Sequence, residues 1–281
     1  MVDSGFYPKE VKNSEEMLSY YAREFPLVEV DSTYHALPYE EVVNRWAEST
    51  PKDFTFDVKA FRLFTKHPAP LNVIPRALRP DLSSLADKRN LYIHHLPEKT
   101  VDALWKRFID AIQPLKKAGK LGAVLLQFPP YFNPGTENFG YIASCKERLR
   151  DYNVGVEFRT GGWLSEPRKE ETLDFLRKHS ISLVCVDEPQ GLKTSVPAVA
   201  EVTASIGMVR FHGRNSETWE KKDIEPVEKF NYLYSEEELK ECAPKIKCMA
   251  NSAMEVHVIF KNKYRDYFIT NARQMKRLLL E

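Results

Sequence analysis

VGVEFRTGGWLSEPRKEETLDFLRKHSISLVCVD, residues 154–187, decides the fold. It opens with a short apolar run rich in β-branched residues (VGVEFR, 154–159), turns at Gly161-Gly162, and continues as an amphipathic stretch over 166–180. It closes on a second such run, ISLVCVD at 181–187. A strand, a helix and a strand in about thirty residues make a βαβ unit, whose strands lie parallel with a right-handed crossover between them.

The alternation continues in both directions. Before this unit come LVEVD (27–31), FTFDVK (54–59) and GAVLLQF (122–128); after it come GMVRFH (207–212) and EVHVIFK (255–261). Helical patterns fill 14–25, 38–49, 98–118, 136–150 and 235–250. Asn13 with Glu16, and Ser235 with Glu238, stand in capping-box spacing. Pro38 falls in a first turn, and Pro244 is expected to end or kink the last helix. Seven strands alternating with helices in one chain point to an α/β fold of the TIM-like (β/α) barrel type, with an open doubly wound sheet as the alternative. No linker divides the chain, so 1–281 reads as one domain. The proline-rich segment 60–97 reads as a long excursion over one end, with 213–234 as its counterpart.

Composition narrows the function classes. Forty-one Lys and Arg against 40 Asp and Glu leave a net charge of +1, and 43% of residues are hydrophobic. That excludes disorder and gives no whole-protein field for nucleic acid or an anionic membrane. No apolar run reaches the roughly 18 residues of a membrane span, and MVDSGFYPKEV lacks a signal-peptide core, so a cytoplasmic location with no membrane partner is expected. Cys145, Cys185, Cys242 and Cys248 are scattered, suiting neither a disulfide framework nor a zinc cluster. The 11 glycines form no dinucleotide or P-loop fingerprint.

Side chains on a strand alternate between faces, so each strand sorts into two sets. One set is apolar: Val28 and Val30, Phe56 and Val58, Val124 and Leu126, Val154 and Val156, Val184 and Val186, Val209 and Phe211, Val256 and Val258. It reads as the helix-facing set. The other carries Glu29, Asp31, Asp57, Lys59, Gln127, Glu157, Arg159, Asp187, Arg210, His212, His257 and Lys261, and reads as the inward set. Buried charges cost several kcal/mol unless paired, so this set has to interlock as ion pairs. Its polar members crowd toward the C-terminal strand ends, where barrel enzymes carry their chemistry.

At VEVDSTYHALP (28–38), FTFDVKAFRLFTKH (54–67), LLQFPPYF (125–132), VGVEFRTGGW (154–163), VDEP (186–189), VRFHGRN (209–215), YLYSEEELK (232–240) and VIFKNKYRDYFITNA (258–272), the sequence resembles the YecE-like proteins, domain-of-unknown-function family 72. The match runs over almost the whole chain. The resemblance implies a TIM barrel and names no substrate. The residues matching the family's motifs are Asp31, Ser32 and Thr33; Lys59 and His67; Gln127, Pro129 and Pro130; Glu157, Arg159 and Trp163; Asp187; His212, Gly213 and Arg214; Asn262 and Asn271. Two departures stand out. Members open on a strand ending in a G-T-S-G-W type motif, whereas this chain begins at Asp3-Ser4-Gly5-Phe6-Tyr7-Pro8, which leaves the first strand missing or atypical. Lys261 stands where an asparagine is common, and Asp266 where a glycine is usual.

The reading that follows is an acid/base enzyme of the hydrolase type acting on a phosphorylated or otherwise anionic substrate. Glu157, Asp187 and His212 are the proton-handling candidates. Asp31, Lys59, Gln127, Arg159, Arg210, Arg214, Lys261 and Asn262 line the substrate site, with guanidinium and ammonium groups suited to oxyanions. Trp163 is the candidate stacking platform, against a plain reading as loop packing. A metal-dependent phosphodiesterase on nucleic acid is the alternative, with Asp31, Glu157, Asp187 and His212 as its one-ion ligand set. A non-catalytic anion-binding barrel is the other. Neither a resident metal nor a cofactor is assigned by the sequence.

Overall fold

The computed structural model describes residues 5–85, 87–221 and 223–281. They form two compact units. One unit spans residues 10–129 and 147–152. It holds α1 (Ser14–Glu24), β1 (Leu27–Val30), the single turn α2 (Ser32–His35), α3 (Glu40–Glu48), β2 (Thr55–Lys59), α4 (Glu98–Lys117) and β3 (Leu121–Gln127). The other takes in residues 5–9, 130–146 and 153–281. It holds α5 (Thr136–Arg148, apart from its last residues), β4 (Val154–Glu157), α6 (Lys169–Lys178), β5 (Ile181–Asp187), β6 (Ile206–Phe211), the single turn α7 (Ser216–Trp219), α8 (Glu236–Ala250), β7 (Glu255–Phe260) and α9 (Tyr267–Leu280).

All the strands are parallel and pair in sequence order, β1 to β2 to β3 in the first unit and β4 through β7 in the second. Parallel strands alternating with helices make this an α/β fold of the TIM-like barrel class, as the sequence predicts. The sheet opens normally: Leu27 to Val30 of β1 pair in register with Thr55 to Val58 of β2. A first strand is thus not evidently missing. The opening residues 1–4, where the family resemblance would place the end of such a strand, lie outside the described residues.

Local sequence explains the element bounds. The Asn13 carboxamide accepts from Glu15 and Glu16 N–H while the Glu16 carboxylate accepts from Asn13 N–H, so α1 starts where the capping box predicts. Ser235 and Glu238 do the same for α8. Pro38 precedes its helix instead of entering it: α3 begins at Glu40 with Tyr39 as cap. Pro244 does not end α8, which runs to Ala250. It sits on the exposed face, where water serves the carbonyl that loses its partner. Segment 60–97 is an excursion of 3-10 turns, tied by a bridge between Ala69 and Leu91.

In the second unit the layers follow from register. Gly155 pairs with Ser182, and Val184 pairs with Met208, which pairs with His257. A Cβ on Gly155 would come within 2.4 Å of Met208 Sδ and 3.3 Å of Val184 Cγ2, so the smallest residue of β4 makes room for the long Met208 side chain of β6. Among the described residues no helix is long and apolar enough to cross a membrane.

Candidate functional site

β4 ends on Glu157, which is wholly buried, and β6 continues into His212. Glu157 Oε2 accepts from Arg210 Nη1. Its Oε1 accepts from Arg159 Nη1 at 3.1 Å and lies 3.2 Å from His212 Nε2. Arg159 Nη1 also stands 3.6 Å from Glu188 Oε2, while Glu188 Oε1 accepts from Val196 N–H at 2.8 Å. Arg159 is the open edge of this cluster, 18% exposed against 1% for Arg210, and its guanidinium lies over the Trp219 ring at 5.1 Å.

The environment splits the charges. Burial works against ionisation of Glu157, but the guanidinium of Arg210, with His212 and Arg159, holds its pKa well below the usual carboxylate range. Burial pushes His212 down to about 4, so the imidazole is neutral at physiological pH. Burial pushes Glu188 up to about 7, against the pull of Arg159. Two guanidinium groups thus face one firmly ionised carboxylate. With Glu157 ionised, His212 Nε2 carries the proton that bonds it, and Nδ1 is left as a bare acceptor. No hydrogen bond reaches His212 Nδ1 or Glu188 Oε2, and both atoms are buried.

Asp187 lies elsewhere, which corrects the predicted site. Its carboxylate takes a two-pronged bond from Arg214, Nε to Oδ1 at 2.9 Å and Nη2 to Oδ2 at 2.7 Å, and a third from the Tyr234 hydroxyl at 2.7 Å. Arg214 Nη1 reaches on to Glu238 Oε1 at 3.2 Å, which ties the loop after β6 to the first turn of α8. Asp187 pairs in register with Phe211, and Cys185 with Val209. Cys185 and Asp187 thus share the face of Val209 and Phe211, and the Cys242 thiol of α8 donates to Asp187 Oδ2 at 3.9 Å, so this set faces the helix. The inward set of β5 is Ser182, Val184, Val186 and, just past its end, Glu188. The parity assigned to β5 from sequence is reversed, because its only charged residue answers to Arg214 and not to the interior.

The other expected residues divide in the same way. Trp163 is fully buried, stacked on Phe158 at 4.4 Å and Phe132 at 5.6 Å, and donates Nε1–H to Phe132 O at 2.6 Å. Those surroundings make it loop packing rather than a platform. Asn262 donates to Tyr232 O and Asn271 Oδ1, both at 2.9 Å, and so fixes the segment before α8. Lys261 is buried directly after β7. In the unit of β1 to β3, Lys59 Nζ pairs with Asp31 Oδ1 at 3.2 Å and sits 4.4 Å over the Tyr34 ring, and Gln127 ends β3. Among the described residues no three His, Cys, Asp or Glu side chains group as ligands for a metal ion. Glu188 is the site residue the sequence reading missed. It shares parity with Val184 and Val186, which the sequence places on the helix-facing side, so the pattern of β5 pointed it the wrong way.

Comparison with known proteins covers the whole length. Residues 2–281 match the family described as "Protein of unknown function DUF72". The UPF0759 protein YunF of Bacillus subtilis is 31% identical, over 99% of this chain and 90% of its own. The UPF0759 protein YecE of Escherichia coli K12 is 28% identical, over 75% and 72%. Among solved structures, a DUF72 protein of Enterococcus faecalis V583 superposes with a TM-score of 0.79 at 28% identity, covering 94% of this chain and 88% of that one. One from Thermotoga maritima MSB8 gives 0.76 at 31% identity, covering 99% and 94%.

Proposed function

This chain belongs to the DUF72 family, and from that premise we propose that it is an acid/base enzyme of the hydrolase type for a phosphorylated or otherwise anionic substrate. The observation that carries the reading is the cluster on Glu157. Its two guanidinium groups outnumber the one carboxylate that is firmly ionised, so the cluster favours a bound anion by charge alone. Arg159, the exposed member, binds the oxyanion; Arg210 stays on Glu157 as its fixed counter-ion. Glu157 holds His212 by Nε2 and fixes its tautomer, which leaves Nδ1 to accept a proton from a hydroxyl or water. Asp187 acts at one remove, by holding Arg214 and the loop that carries His212. All four cysteines are free thiols, which suits a reducing compartment such as the cytoplasm.

The test is calorimetry of inorganic phosphate with wild type and Arg159→Gln, followed by a hydrolysis screen over phosphate monoesters with wild type and His212→Asn. Binding that falls at least about tenfold in Arg159→Gln, with hydrolysis lost in His212→Asn while binding persists, supports an enzyme. Binding without turnover by the wild type leaves the anion-binding barrel. No binding to the wild type overturns the site.

A further inference from the structure

At the Glu157 cluster, two of the buried atoms without a hydrogen bond are of opposite kind. His212 Nδ1 is an acceptor, because Nε2 is committed to Glu157. Glu188 Oε2 is the free oxygen of a carboxyl whose Oε1 already accepts from Val196 N–H, so any proton Glu188 carries belongs on Oε2. A buried polar atom without a hydrogen bond is costly, and a ligand that bonds both His212 Nδ1 and Glu188 Oε2 relieves that cost. Arg159 Nη1 lies 3.1 Å from Glu157 Oε1 and 3.6 Å from Glu188 Oε2.

Resting on the anion-site reading above, we infer that Glu188 is the second carboxyl of the site, entering as a neutral acid that donates a hydrogen bond to the bound oxyanion, and that the fitting ligand is an oxyanion that also bears a hydroxyl. Arg159 and the Glu188 O–H take the anion; the hydroxyl donates to His212 Nδ1. The groups facing Glu188 support its protonation. Beside the Arg159 cation stand two carboxylates, Glu157 from β4 and the adjacent Asp187, and both oppose a second negative charge. Arg210 and His212 of the β6 segment engage Glu157. Burial raises the group to about 7, so it is a donor below neutrality and an anion above it. An anion arriving beside it raises that value further, and ligand binding takes up a proton.

Two measurements test this. Infrared difference spectra between about pH 5.5 and about pH 8.5 read the carbonyl stretch of a buried neutral carboxylic acid directly. The band is expected in wild type, fading as pH rises, and absent from Glu188→Gln; a wild type without it, or a variant that keeps it, overturns the assignment. Calorimetry then compares glycerol 3-phosphate with propyl phosphate, which carries the same anion without the hydroxyls. Glycerol 3-phosphate is expected to bind about tenfold tighter. At about pH 8.5 the Glu188→Gln amide, which donates at every pH, is expected to bind at least about tenfold tighter than wild type, while the two are alike at about pH 5.5. The ligand's own second ionisation acts equally on both proteins. If both phosphates bind equally, or the pH profiles of wild type and Glu188→Gln coincide, this inference fails and the anion site survives. If neither binds to wild type, the site reading falls with it.

Discussion

Replacing Glu157 by Gln removes one negative charge from between two guanidinium groups. The amide keeps the shape of the carboxylate, but its NH2 must face one of the donors that the carboxylate accepted: Arg210 on one side, Arg159 and His212 on the other. Arg210, almost wholly buried, keeps its charge with no neutralising partner at Glu157. Breaking one side of a buried pair costs about 3–5 kcal/mol, which lowers Tm by about 6–10 °C at about 2 °C per kcal/mol for a chain of this length. The pH dependence sharpens the test. In wild type the pKa of Glu157 is depressed, so its contribution is present above the ordinary value of 4.5 and lost as pH falls through the folded value. Glu188 has the opposite sign: raised from 4.5 to about 7, it makes the folded chain bind the extra proton, and stability is lost as pH rises through that window. In Glu157→Gln, Glu188 is relieved of the repulsion from Glu157, and Arg159 is released toward it. Its pKa falls and its carboxylate takes over the neutralisation. The deficit against wild type is therefore largest near about pH 5.5 and shrinks by about 1–2 kcal/mol by about pH 8. Urea unfolding at both pH values measures it. A deficit below about 1 kcal/mol, or one that grows with pH, refutes the assignment of charges in this cluster.

Two further predictions concern the frame of the site. Asp187→Asn replaces one arm of the Arg214 clamp by an N–H and is expected to cost about 1–3 kcal/mol in urea unfolding; an unchanged midpoint would mean that the clamp does not hold the loop after β6. Gly155→Ala places a methyl against the sulfur of Met208, which is itself buried, and is expected to cost about 1–3 kcal/mol through overpacking. Combining it with Met208→Val should restore part of that loss, and strict additivity in the double-mutant cycle would show that the two side chains do not share the layer.

The fold was legible because the strands are short apolar runs and two of the helices, α1 and α8, carry their own start signal. Asn13 and Ser235 cap where they stand in the sequence, since a capping box needs only residues three apart. Pro244 does not end α8 because the cost of a proline in a helix depends on which way the lost hydrogen bond faces, and exposure is a tertiary property. The parity of β5 failed for a related reason. Parallel strands covered on both faces are apolar on both, so ISLVCVD offers no alternation, and the lone charge at Asp187 is then the only guide. That charge answers to Arg214 and Tyr234, which lie 27 and 47 residues further on. Glu157, Arg159, Arg210 and His212 were assigned to one face because VGVEFR and GMVRFH do alternate and because each run carries arginine on the side that cannot face a helix cheaply.

The misplacement of Asp187 exposes how the site is built. Two short segments each send neighbouring or near-neighbouring side chains to opposite faces of the sheet. At the end of β5, Asp187 goes to the helix side and Glu188 to the interior; after β6, Arg214 goes to the helix side and His212 to the interior. The backbone joins the two segments, with His212 N–H donating to Asp187 O at 2.8 Å, and Gly213 between them takes a φ of +91° that side-chain-bearing residues rarely adopt. Gly213 N–H in turn donates to the Tyr234 hydroxyl, which bonds Asp187. The clamp on the helix side therefore sets the position of the two atoms left open inside, His212 Nδ1 and Glu188 Oε2. A shift of the clamp moves the backbone of both together, since His212 N–H is bonded to Asp187 O and Glu188 follows Asp187 directly. On this argument Asp187→Asn should alter the pH profile of ligand binding, through the displaced Glu188, as well as lower stability. A variant that lost stability but kept the wild-type profile would separate the clamp from the site.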